Sequence, residues 1–186
     1  MHHTGGARMP ITEIPVLDEV LHAHAAVLGR DVAGYRNHTY RMTNFCLALL
    51  GTDARQGEKV VTAAAFHDIG IWTAGTFDYL EPSVAAATQH LVRSGRAEWV
   101  PEIGAMIREH HKLRAYRGES EQLVEPFRRA DLIDLSHGLV RFGLPRRFLR
   151  EVFSRWPDEG FHWKLLRLSL GRLVTHPWNP LPMVRV

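Results

Sequence analysis

The chain has 186 residues, 45% of them hydrophobic and 23% charged, the balance of one ordinary globular domain long enough to bury a core. Its formal charge of +3 is too small to argue for nucleic-acid binding and suits a small anionic ligand. The single cysteine, Cys46, excludes an internal disulfide and a thiolate metal site. No apolar run is long enough to span a membrane and no signal-peptide core opens the chain, so the expected location is the reducing cytoplasm, away from membranes.

Taken in order, the chain reads as helices separated by short breaks. Residues 1–12 are Gly-rich at the start and read as a flexible N-terminus. A first helix is expected over Asp18–Gly29, after Pro15. Asp31–Gly51 carries Tyr35, His38, Met42, Phe45 and Leu49 at helical spacing. Gln56 to about Ile71 carries Val60, Ala63, Ala64 and His67 on one face. Pro82 opens a segment running to Gly95, and Pro101 opens another through Ile103, Met106, Ile107 and His110. Glu121–Ser136 sets Val124, Phe127, Asp131 and Asp134 on one face. Arg146–Trp156 and Phe161–Thr175 follow, and residues 177–186 form a Pro-rich extended tail. Pro and Gly stand where helix start and stop chemistry wants them, and no strand alternation or internal repeat is visible. The expectation is an all-α, single-domain helical bundle over residues 13–176.

Twelve histidines remain to be explained. One histidine in an apolar stripe reads as a core residue bonded to a backbone carbonyl. Here four helices each place a metal-capable side chain in such a stripe: His38, then His67 with Asp68 beside it, then His110 with His111, then Asp131. Burying an unpaired carboxylate costs several kcal/mol, on the order of the penalty for any isolated buried charge. A divalent cation between these groups would satisfy all of them together. Imidazole and carboxylate suit Fe, Mn, Co, Ni or Zn. On a helix His67 and Asp68 would point about 100° apart, so both could reach one ion or Asp68 could bridge two. Ala63, Ala64 and Ala65 let neighbouring helices come close enough for short side chains to meet.

The segment AAFHDIG (Ala64–Gly70) resembles the doublet that names the HD superfamily. YRNH (Tyr35–His38) resembles its preceding single-His helix, REHHK (Arg108–Lys112) its His-rich helix end, and RRADLID (Arg128–Asp134) its closing helix. The match covers roughly residues 31–136, with the helices over 145–176 outside it. The resemblance implies a first metal held by His38, His67, Asp68 and Asp131. In two-metal members Asp68 would bridge to a second ion held by His110 or His111. The other ligand position of that ion falls on Glu81 in YLEPSVAAA (Tyr79–Ala87), where a His is usual. Glu81 reads either as a ligand of an altered second site or as an acidic residue favoured at a helix N-terminus. One or two ions are therefore expected.

Smaller signals surround this set. Lys112, Arg114 and Arg117 follow the His pair and read as the groups that would bind a phosphate, with Lys112 offsetting developing charge. Asp134, one turn after Asp131, reads as a residue orienting a ligand His. His162 reads as packing, and Trp72, Phe77 and Tyr79 as core or the mouth of a substrate pocket. Arg141–Arg155 reads as a solvated helix face. The resemblance implies hydrolysis of a small phosphate ester such as a nucleotide, with Asp68 and Lys112 in the catalytic set. The alternatives are an HD-type diiron oxygenase cleaving a carbon bond in a small polar substrate, and a non-catalytic metal- or ligand-binding protein. Nothing in the composition excludes a homo-oligomer.

Overall fold

The computed structural model describes residues 9–51, 54–179 and 181–184. Residues 1–8 of the N-terminal segment and residues 180 and 185–186 of the Pro-rich tail lie outside these residues. Among them every regular element is helical, as the 3.6-residue periodicity requires. The helices are α1 (Pro15–Ala23), α2 (Ala25–Leu28), α3 (Val32–Leu50), α4 (Ala54–Phe66) and α5 (Gly70–Thr73). They continue with α6 (Leu80–Arg93), α7 (Val100–Glu109), α8 (Glu121–Leu135), α9 (Arg146–Arg155) and α10 (Phe161–Thr175).

The centre of the bundle is α3 laid along α8, with α4 against α3 and α7, and α7 against α8 and α6. The seam between them buries a continuous apolar layer. Met42, Phe45, Val60, Ala63, Ala64, Ala65, Ile103, Met106, Ile107, Val124, Phe127 and Ile133 are fully buried. The alanine run on α4 keeps its neighbours close.

Two expected helices are broken. The first, expected over Asp18–Gly29, stops at Ala23, and a short 3₁₀ turn follows α2. The break at His24 is held by its Nδ1–H donating to the Val20 carbonyl at 2.8 Å. The second break matters more. The helix expected to run to Ile71 ends at Phe66, so His67 and Asp68 lie in a tight turn between α4 and α5. His67 N still bonds the Ala63 carbonyl at 2.9 Å, but Ile69 N reaches back only to Phe66 and Ile71 N to Asp68, the tighter i to i+3 pattern. Gly70 shows what forces the bend. A Cβ there would lie 2.4 Å from the Tyr79 carbonyl oxygen, so only glycine lets the start of α6 pack so close. The Gly70 N–H donates to Ser83 Oγ at 2.9 Å across this contact.

Beyond α9, residues Trp156 and Pro157 return the chain to α3, where Arg41 Nη1 bonds their carbonyls at 2.9 and 3.2 Å. The C-terminal segment folds back as well, and Met183 is buried against Ile71, Phe77, Tyr79 and Leu80.

Candidate metal centre

Six side chains converge on the middle of the bundle. Their ligand atoms fall into three overlapping groups, each with atoms within 4.8 Å of one another: His38, His67, Asp68; His67, His110, Asp131; and Asp68, His110, His111. His38 comes from the interior of α3 and Asp131 from α8. His67 and Asp68 come from the turn after α4, and His110 and His111 from the turn where α7 ends. Both doublets thus sit at helix C-termini, where the chain bends and adjacent side chains can both turn inward.

The hydrogen bonds of the rings decide which nitrogens face the centre. His38 Nδ1 lies 2.7 Å from Asp134 Oδ2. His67 Nδ1 lies 2.8 Å from the Ala64 carbonyl oxygen, and His110 Nδ1 lies 2.7 Å from that of Ile107. A carboxylate and two carbonyls can only accept, so each Nδ1 carries a proton, and in the neutral ring each Nε2 presents a lone pair. Those lone pairs meet one another. His38 Nε2 and His67 Nε2 are 2.9 Å apart, and His110 Nε2 is 3.3 Å from Asp68 Oδ1. Asp68 Oδ2 is 3.4 Å from His67 Nε2 and 3.7 Å from His38 Nε2. Acceptors packed against acceptors repel unless a cation or proton lies between them.

The unpartnered atoms point the same way. Asp68 Oδ1, His110 Nε2 and Asp131 Oδ1 are buried without a hydrogen-bond partner. Burial opposes ionisation of Asp68, but His67 and His110 outweigh it and hold its carboxyl well below the usual carboxylate range. Burial likewise opposes ionisation of Asp131, and His111 outweighs it. Burial pushes His38 down, and burial together with neighbouring His111 pushes His110 down to about 4. Burial also opposes protonation of His67 and His111, but Asp68 raises His67 and Asp131 raises His111 against it, so a metal at the centre would have to displace the protons these two rings favour. Ionised carboxylates and neutral imidazoles are the protonation states in which these residues ligate a divalent ion. The donor set therefore fits a transition metal.

His111 is placed differently from His110. Its Nδ1 sits 3.1 Å from Asp131 Oδ2, and its Nε2 sits 2.8 Å from the Tyr79 hydroxyl. In the neutral ring the Nδ1–H donates to Asp131 and the Tyr79 O–H caps Nε2. Asp131 is thereby divided, one oxygen bonded to His111 and the other bare.

Around the donors lies a rigid frame. Asp134 accepts from Arg41 Nε at 2.5 Å and Arg41 Nη2 at 2.8 Å while holding His38 Nδ1–H. Arg41 is 1% exposed and Asp134 fully buried. Phe161, the first residue of α10, stacks on the His38 ring with centroids 4.2 Å apart. His162 engages Asp158 through Nδ1 and lies 3.6 Å from Asp134 through Nε2.

Glu81 is not in the cluster. Its carboxylate is gripped at the surface by Arg108, Nε to Oε1 at 2.8 Å and Nη2 to Oε2 at 2.9 Å, with the Glu81 side chain 62% exposed. The first turn of α6 directs Glu81 outward and puts Tyr79, just before the helix, inside. Lys112 lies 3.8 Å from Glu109, while Arg114 and Arg117 are exposed on the segment 112–120. Sequence reasoning passed over Arg41 and the Tyr79 hydroxyl. The signal for Arg41 was available: an arginine three residues after His38 in an otherwise apolar stripe must find a carboxylate. Comparison of the chain with protein-family profiles, curated proteins and solved structures gave no match, so the centre is read from its own geometry.

Proposed function

We propose that the chain is a metal-dependent phosphohydrolase of the HD type, acting on a small phosphate ester such as a nucleotide. The observation that carries this is the convergence of three Nε2 lone pairs, from His38, His67 and His110, on the buried carboxylates of Asp68 and Asp131. His38, His67, Asp68 and Asp131 would hold the first ion, with His110 beside Asp68. A divalent cation there supplies Lewis acidity: it polarises a phosphoryl oxygen and lowers the pKa of water.

The chain's own groups supply the rest. Asp134 and Arg41 fix the His38 ring so that its Nε2 stays aimed inward. Asp131, with Oδ2 on His111, keeps Oδ1 as the oxygen that would face the ion. Lys112 stands directly after the His pair, and with Arg114 and Arg117 it gives the segment 112–120 the charge to attract an anion. The experiment is turnover of a panel of nucleotides and other phosphomonoesters with Mn, Co, Ni or Mg. Phosphate release that needs added metal and is lost in Asp68→Ala supports the reading; no turnover by metal-loaded protein overturns it.

The geometry also favours a second reading of the same residues. Asp68, His110 and His111 form a donor group beside the first without Glu81, and with the Tyr79 hydroxyl turned away from His111 Nε2 a pair of ions would have six ligand residues. A diiron oxygenase is the reading for that occupancy. Two irons per chain and dioxygen consumption with a small polar substrate would support it, and one metal per chain would remove it.

A further inference from the structure

The long helices differ in how much of themselves they bury. Helix α8 buries nine of its fifteen residues; α10, of the same length, buries only Phe161. A helix of this length gains most of its stability from packing an apolar face. On α10 that face is turned to solvent. Trp163 is 62% exposed, Leu166 46%, Leu170 52%, Leu173 48% and Val174 83%. At 3.6 residues per turn these five fall within an arc of about 100°. From Trp163 to Leu173 the steps are three, four and three residues, the a/d repeat of paired helices. The opposite side of the helix is already used, since Leu165 and Leu168 pack on the body of the domain.

We propose that this face of α10 is the contact between two copies of the chain, packed on one another about a twofold axis. The five side chains present roughly 550 Å² on each copy, so that two faces together exceed the ~1,000 Å² that a specific interface needs. The narrow stripe has the width of a helix-pair seam. A helix lying on lipid instead lines its polar side with Lys and Arg. Here the opposite side packs Leu165 and Leu168 on the protein, Lys164 is paired with Asp31 and Arg172 Nε donates to the Asn179 carbonyl, so that of the cations of α10 only Arg167 edges the stripe, with Ser169 and His162 at its other edge.

The test is the mass of the full chain by sedimentation velocity at micromolar concentration. Chelator-treated protein is used, so the result is independent of the metal centre. The expected mass is twice the 21.2 kDa of one chain. Leu170→Glu should weaken association by ~100-fold or more while helix content by circular dichroism stays unchanged. Val92→Glu, at a 58% exposed position on α6, should leave the mass unaltered. Should Leu170→Glu lose helix content, Leu173→Ala carries the same expectation at about 10-fold. A wild-type monomer at every concentration overturns the proposal, as does a dimer indifferent to both α10 substitutions. So does a monomer that binds vesicles of anionic phospholipid through this face.

Discussion

The most informative single change is Asp134→Asn. Asn keeps the shape of Asp134 and one acceptor oxygen, so His38 Nδ1–H retains a partner. The amide nitrogen, however, meets Arg41, whose Nε and Nη2 now bond the two carboxylate oxygens at 2.5 and 2.8 Å. Arg41 is 1% exposed and cannot turn to water. Removing one partner of a buried pair typically costs about 3–5 kcal/mol, because the other charge stays buried. Arg41 keeps the Trp156 and Pro157 carbonyls, which places the expected loss near the lower end, about 3 kcal/mol. That is a large share of the roughly 5–15 kcal/mol by which a domain is stable. Urea unfolding followed by circular dichroism at neutral pH, with chelator present, reads it directly. Adding Arg41→Met to Asp134→Asn removes the stranded cation and should recover part of the loss. A loss below about 1 kcal/mol, or no recovery in the double variant, would refute the reasoning.

Three further outcomes are expected. Asp68→Ala should bring bound metal to background by elemental analysis while most of the helix content by circular dichroism is retained, because the change removes a ligand from the turn after α4 and leaves the helices themselves intact; full metal content would contradict the site. Glu81→Gln should leave metal stoichiometry unchanged and alter stability by less than about 1 kcal/mol, since the pair with Arg108 that it weakens is exposed; loss of one ion per chain would return Glu81 to the ligand set. The third concerns pH. Burial opposes ionisation of Glu125, but Arg128, the Tyr116 N–H and Arg129 outweigh it and bring its carboxyl from 4.5 to about 2. A depressed carboxyl contributes stability that is fully present above its unfolded value and lost as pH falls through its folded one. Wild type should therefore lose roughly 1–3 kcal/mol between pH 4.5 and 2 through this group. Glu125→Gln should be less stable at neutral pH and show a flatter acid limb in urea titrations; an unchanged acid limb would count against it.

The all-helical bundle was legible in the sequence because a 3.6-residue apolar period, punctuated by Pro and Gly, leaves few other ways to bury the same residues. The candidate donors were legible for a similar reason: His38, His67, Asp68, His110, His111 and Asp131 stand in apolar stripes, and ionisable groups so placed must find one another. What the sequence could not decide depends on contacts between distant segments. The turn at His67 and Asp68 exists because α6 packs against Gly70, a contact nine residues away between Gly70 and Tyr79 that no local propensity reports. Glu81 and Tyr79 are two residues apart, and only the angle at which α6 meets α7 sends the first to Arg108 and the second to His111. The tautomers of His38, His67 and His110 were equally out of reach. They are set by Asp134 and two helix carbonyls whose positions exist only once α3, α4, α7 and α8 have packed. Local periodicity fixes which residues are buried, but the direction in which a buried side chain points is a property of its neighbours, and tertiary structure alone supplies those.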